Sequence, residues 1–254
     1  MAIVITIINN KGGTGKTTTA LNLGAALQKK RKKVLLIDLD GQANLTSSLG
    51  LQDIQKHIGD VLVDNTTVAD SILKPNKLHV VPSSEKLLEY EYQVNNEPGR
   101  EYLLKEAIET IKEKYDFIII DCAPNLGIYS LNSLVAADYF IVPMQAENFA
   151  FIGLDKILQI ADKVKKRLNE KLNLAGILIV RQAHKTKFSQ AVITNIGLNP
   201  QLKHKLFDTL IRQDISLMEC TAFGQSIFEY APESRGASDY KKFATEILKK
   251  YGEK

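Results

Sequence analysis

Two hydrophobic patterns alternate along the chain. Continuous apolar runs of strand length occupy Ile3–Ile8, Val34–Ile37, Phe117–Ile120, Tyr139–Val142, where Pro143 closes the run, and Leu174–Val180. Weaker runs lie at His79–Val81 and Phe207–Ile211. Between them the spacing turns helical. Within Thr17–Lys30, Ala20, Leu23, Gly24 and Leu27 fall at i, i+3, i+4 and i+7 on one helix face. Glu101–Lys114, Ile128–Ala137 and Leu154–Leu168 read as further helices. In Ser238–Tyr251, Tyr240, Phe243, Ala244, Ile247, Leu248 and Tyr251 form a single stripe. Strands that are apolar without alternation are buried on both faces, and intervening helices supply their crossovers. The expected fold class is therefore α/β, a mostly parallel twisted sheet flanked by helices on both faces. Ligands in such sheets bind beyond the carboxyl ends of the strands, which directs attention to the segment after the first strand.

Composition narrows the picture. A chain of 254 residues with 44% hydrophobic and 24% charged residues is expected to form a single domain over 1–254, with no tract suited to disorder. Cys122 and Cys220 form no CxxC pair, which argues against a zinc site or a disulfide framework and fits a reducing cytoplasm. The apolar N-terminus is short, lacks a basic leader and runs into a glycine-rich loop, so it reads as a strand and not as a signal peptide. No run reaches the roughly 18 apolar residues of a membrane span. The net charge of +4 permits an anionic partner without requiring one. The basic run Lys29–Lys33 is expected to close a helix, where cations suit the negative end of the dipole.

Asn10-Lys11-Gly12-Gly13-Thr14-Gly15-Lys16-Thr17-Thr18 stands between the first strand and the first helix. Glycines let successive backbone N–H groups turn toward one centre, and the helix N-terminus adds a positive dipole end. Lys16 supplies an ammonium for the β- and γ-phosphates of ATP, and the Thr17 hydroxyl is placed to ligate Mg²⁺. The common pattern G-x-x-x-x-G-K-[ST] is not met, because Asn10 occupies its first glycine position; the variant K-G-G-x-G-K-[ST], with a second lysine at Lys11, is. Two acidic stations follow. Asp38 and Asp40 lie at i, i+2 at the end of the second strand and project to the same side. Asp121 ends the apolar run Phe117–Ile120 in the form of a Walker B element, which holds Mg²⁺. Cys122 beside it reads as a packed residue and not a nucleophile.

With Lys11 in place, the loop resembles that of the deviant Walker A ATPases, the ParA/MinD group. The resemblance covers nearly the whole chain and includes Asp38-Leu39-Asp40-Gly41-Gln42-Ala43-Asn44 and Asp121-Cys122-Ala123-Pro124-Asn125-Leu126-Gly127. It implies an ATP-bound homodimer in which Lys11 reaches the partner's nucleotide, with Lys11, Lys16 and Asp40 as the catalytic residues. Asp40 would position the attacking water, and Asp38 would support the Mg²⁺ shell beside Thr17 and Asp121. Val142–Ala150 with Gly153-Leu154, and the block from Glu219 to Tyr240, resemble the ParA branch. That branch implies plasmid or chromosome partitioning, slow intrinsic ATP hydrolysis, non-specific binding of double-stranded DNA, and a ParB-like protein that stimulates turnover. It also implies a cytoplasmic protein that joins the nucleoid when ATP-bound, without stable membrane association. The loop begins at residue 10, so no N-terminal helix-turn-helix domain is expected.

In the family, one DNA-contacting arginine falls at Lys185 here and another at Ser216, a departure that Lys187, Lys203, Lys205, Arg235, Lys241, Lys242, Lys249 and Lys250 could offset as DNA-binding residues. The resemblance also implies adenine contacts in these two regions, with Arg181, Gln182, Arg212 and Asp214 as the candidates and Arg212 standing where the family has proline. Competing readings are a ParA-like ATPase that positions a protein cargo, a MinD-like membrane-cycling ATPase, a metal-cluster ATPase and a small-molecule synthetase. The last two lack, respectively, paired cysteines and a substrate constellation in this sequence.

Overall fold

The computed structural model of the chain describes residues 1–147, 150–182, 187–199 and 202–252. Six strands, β1 (Ile3–Ile7), β2 (Val34–Leu39), β3 (His79–Val81), β4 (Phe117–Cys122), β5 (Tyr139–Met144) and β6 (Asn173–Ile179), form one sheet in the order β3-β2-β4-β1-β5-β6. Every neighbouring pair is parallel. The helices are α1 (Lys16–Lys29), α2 (Asn44–Ser47), α3 (Ile58–Leu62), α4 (Lys86–Glu89), α5 (Glu91–Asn96), α6 (Leu103–Glu109), α7 (Ile128–Ala136), α8 (Ala150–Arg167), α9 (Lys187–Leu198), α10 (Ser216–Ala222), α11 (Ile227–Tyr230) and α12 (Arg235–Tyr251).

The period of two along each strand splits the apolar residues between two cores. In β4, Ile118 and Ile120 join α3, α6, α7 and α8 on one face. Phe117 and Ile119 join α1, α10, α11 and α12 on the other. All six residues of β4 are buried, which is why the sequence shows no alternation there. Helix α1 packs on the sheet beside α12. Gly24 permits that approach, since a Cβ there would stand 2.6 Å from Leu36. The stripe on α12 buries Tyr240, Phe243, Ala244 and Ile247 against α1 and the sheet, and Tyr240 Oη lies 3.2 Å from Thr19 Oγ1. The basic run does close α1. Lys29 lies in the last turn, and Arg31 takes a left-handed φ of 62° that redirects the chain.

Three segments differ from the sequence-based expectation. β5 continues through Pro143 to Met144. The carbonyls of Ile141 and Pro143 both face the β1 side, where they accept Ile8 N–H and the Asn9 amide. β1 has ended by then, so the missing N–H of Pro143 breaks no ladder bond. Phe207–Ile211 is not a regular strand. Phe207 N–H and Ile211 N–H reach Ile177 and Ile179, so the segment spends four residues where β6 advances by two. The slack is taken by Glu246, whose carboxylate accepts the N–H groups of Asp208 and Thr209, each at 3.0 Å. Glu101–Lys114 divides into α6 and a 3-10 turn at Lys112–Lys114.

Candidate nucleotide-binding site

The loop between β1 and α1 is fixed mainly by side chains flanking it. The Asn9 amide donates to Pro143 O at 2.7 Å while its Oδ1 accepts Lys11 N–H at 3.1 Å, which ties the loop's entry to β5. Gln145 Nε2 donates to Gly13 O at 2.9 Å, and Thr14 Oγ1 to Lys11 O at 3.2 Å. Gly13 and Gly15 have φ of 72° and 79°, the left-handed conformation that glycine tolerates without a Cβ penalty. Gly15 caps α1 without a side-chain acceptor, so the first-turn N–H groups are left for an anion.

Lys16 opens the helix and is only 7% exposed. Its Nζ donates to Lys11 O at 3.3 Å. Burial lowers its pKa, and Asp121 and Asp40 counter that shift. The strand register aligns Asp38 on β2 with Asp121 on β4. Asp38 Oδ2 accepts both the N–H and the hydroxyl of Thr46, at 2.8 and 2.7 Å. Its burial pushes its pKa up to about 6 against the pull of those bonds. Asp40 is nearly buried and its Oδ1 accepts Gln42 N–H at 3.0 Å. Asp121 is fully buried and neither of its oxygens has a hydrogen-bond partner, so burial, reinforced by Asp38, drives its pKa well up. The Thr17 side chain faces it outside bonding geometry and offsets only part of that shift. Burial likewise pushes the Cys122 thiol up to about 12, which keeps it protonated and unreactive at neutral pH.

An unpartnered buried carboxylate beside a threonine and a lysine is costly alone and calls for a cation. Among the described residues no group of three or more His, Cys, Asp or Glu could hold a metal by itself. The arrangement therefore fits Mg²⁺ held in part by phosphate oxygens and water, the usual state of that ion, with Thr17 and Asp121 as the protein's share and Asp38 behind them.

Beside Gly15 and Thr18 a cavity of about 120 Å³ opens between Val180, Arg181, Arg212 and Leu217. Asp214 and Tyr240 also line it. Arg212 and Asp214 are both committed to α12. The Arg212 guanidinium grips Asp239 through Nη2 at 2.7 Å and Nε at 2.9 Å. Asp214 accepts Gly236 N–H at 2.7 Å. Their side chains brace the wall of the cavity, whose lining is mainly apolar. Gln182 joins this wall through its backbone, donating to Ile211 O and accepting Gln213 N–H, each at 3.1 Å.

Lys16, Thr17, Asp38, Asp40 and Asp121 thus converge, with Gly12, Gly13, Thr14, Gly15 and Thr18 framing them. Lys11 stands at the rim, its side chain 62% exposed and its ammonium paired with Glu147 at 3.0 Å. Lys185 lies outside the described residues, and Lys187 begins α9. Arg235, Lys241 and Lys242 are exposed on α12. Sequence reasoning missed Thr46, Gln145, Glu147 and Asp239 as working parts. Gln145 and Glu147 had one available signal, in that they follow the strand next to β1 at the same sheet edge. Among the described residues no helix is long and apolar enough to cross a membrane.

A family model described as "AAA domain" matches residues 2–174. The chain is 38% identical over 251 residues to the sporulation initiation inhibitor protein Soj of Bacillus subtilis, covering 97% of this chain and 98% of that protein. It is 36% identical over 257 residues to the chromosome-partitioning ATPase Soj of Treponema pallidum, covering 100% of both. The fold is similar to that of a cobyrinic acid a,c-diamide synthase from Mycobacterium smegmatis solved with bound ADP and magnesium, with a TM-score of 0.85, 30% identity, and coverage of 100% of this chain and 98% of that one.

Proposed function

This chain belongs to the ParA/MinD-type P-loop ATPases, and on that premise we propose that it binds ATP·Mg²⁺ at the β1–α1 loop, dimerises through that edge, and cycles on and off DNA to partition a replicon. The observation that carries this reading is the division of labour between two lysines five residues apart. Lys16 is buried against the carboxylates of its own site, whereas Lys11 gives its own site only a backbone carbonyl and holds its ammonium in solvent. A cation so placed is free to meet a phosphate presented by a second copy, exchanging Glu147 for it.

Each residue then has a physical task. First-turn N–H groups of α1 and the loop take the phosphates, and Lys16 follows the charge of the terminal one. Asp40, held by Gln42 N–H, orients a water for in-line attack. Lys11 of the facing subunit offsets the charge that develops on the transferred group, as an arginine finger does. Mg²⁺ supplies neutralisation of the β- and γ-phosphate oxygens. The base lies against Val180, Arg181 and Leu217. A ParB-like protein raises a slow basal rate and so releases the dimer from DNA.

The test is binding of the Asp40→Ala variant to unrelated DNA duplexes with ATP, with ADP and without nucleotide, across a salt series. Tight, sequence-indifferent binding confined to ATP and falling steeply with salt is expected. An ATP-bound dimer that binds no duplex would refute the DNA step and favour a protein or membrane track.

A further inference from the structure

The N-terminal edge of the sheet, opposite the nucleotide, carries a charge feature the ATPase cycle does not use. In a parallel sheet all strands begin at one edge, so residues preceding adjacent strands are brought side by side. Lys32 and Lys33 precede β2, Lys74 and Lys77 precede β3, and Lys114 precedes β4, and the order β3-β2-β4 makes these strands neighbours. The five lysines line a cleft of about 580 Å³ whose floor is Val34, Ile72, Ile111 and Tyr115. No Asp or Glu lines it. Asp116, next in sequence to Tyr115, has its carboxylate on Lys33 N–H at 2.7 Å and lies outside the lining.

Among the described residues, none of the five ammonium groups makes an ion pair or hydrogen bond. His79, also in the lining, has its pKa lowered by burial and by Lys74. The loop that presents Lys74 and Lys77 is held in an unfavourable shape, with left-handed φ of 47° at Asn76 and 68° at Lys77. Gln28 secures it by donating to Lys77 O at 2.6 Å. Lysines beside an edge strand can serve to discourage strand pairing. That accounts for those before β3 but not for Lys33 and Lys114, which precede interior strands.

We propose that this edge is a phosphate-backbone-binding surface for duplex nucleic acid. Three strands about 4.8 Å apart span roughly 10 Å. At about 3.4 Å per nucleotide along one strand, three or four phosphates lie within reach. The ammonium is a compact phosphate partner on a flexible stem, so the contact is indifferent to sequence. The inference rests on the DNA-binding reading above and assigns it a surface apart from Lys185, Lys187, Arg235, Lys241 and Lys242.

The test uses fluorescence anisotropy of a random-sequence duplex with ATP, between about 50 and 200 mM salt. It compares wild type, the triple variant Lys32→Gln/Lys74→Gln/Lys77→Gln, and Lys241→Gln/Lys242→Gln. The triple variant is expected to bind about tenfold or more weakly, with a salt slope shallower by about 3, one for each lysine removed, and with unchanged basal ATPase rate. Lys33→Gln/Lys114→Gln, at exposed positions, should show the same trend with a slope change of about 2 and guards against misfolding of the triple variant. Wild-type affinity and slope in both edge variants would overturn the proposal while leaving the DNA reading intact, most plainly if the Lys241/Lys242 variant alone loses binding. A wild type that binds no duplex in any nucleotide state overturns both.

Discussion

Asp121 is fully buried without a hydrogen bond, while Asp38, its register neighbour, takes three donors from Thr46 and Asp40. The two carboxylates were equally visible in the sequence as acids at strand ends. Which of them is satisfied depends on Thr46, eight residues beyond Asp38 on a helix of four residues that no periodicity could announce. In the absence of nucleotide the Asp121 charge is a liability offset only in part, by Thr17 and Lys16. Asp121→Asn is therefore expected to raise the melting temperature of the nucleotide-free protein by about 2–4 °C, the shift that ~1 kcal/mol produces in a chain of this size. The same variant should lose the further stabilisation that Mg²⁺ gives with ATP. Thermal melts with and without ATP and Mg²⁺ check both halves, and a lower melting temperature in the free variant would show that Asp121 is satisfied after all. Glu147 illustrates the limit of local reading. It pairs with Lys11 across 136 positions, and only the adjacency of β1 and β5 brings them together.

Among the elements, the strands and long helices follow directly from apolar spacing, because burial on both faces leaves an unmistakable run in β2 and β4. Between β2 and β4, β3 and α6 were legible and the rest was not. The remainder holds α2 to α5, none longer than 6 residues, too short for a helical period to repeat. Phe207–Ile211 was misread for a related reason. Its apolar content suits a strand, but Glu246 on α12 diverts two of its N–H groups. Helix α12 also braces the cavity proposed for the base, since Asp239 holds Arg212 and Gly236 N–H holds Asp214. Asp239→Ala is expected to cost about 1–3 kcal/mol through the lost charged hydrogen bonds, and to weaken ATP and ADP binding alike by loosening the wall they share. Calorimetric titration of both nucleotides alongside a melt would check this. Unchanged affinity would mean that the pocket does not hold the base.

At the scale of the molecule, the ATPase machinery occupies one edge of the sheet and the unpaired lysines the other. The fold class and the nucleotide edge were legible because a parallel sheet gathers its strand ends, and the sequence shows which acids and glycines stand there. The lysine edge was not. Lys29–Lys33 reads as a helix ending and is one, and nothing local says that Lys74, Lys77 and Lys114 join it. For the nucleotide edge, Lys11→Ala is expected to bind ATP with near wild-type affinity and to fail in ATP-dependent dimerisation and hydrolysis. Light scattering and phosphate release measure these, and normal turnover would remove the role given to Lys11 in the facing subunit. The position of β1 has a consequence for how the protein comes into being. The phosphate loop hangs from a strand whose two neighbours begin at Phe117 and Tyr139. During synthesis at about 5–20 residues per second, that apolar strand stays without its partner for about 6–23 s until β4 follows it out. The phosphate loop thus takes its place only after β4 and β5 have been made, although its own residues precede them by more than half the length of the core sheet's sequence span.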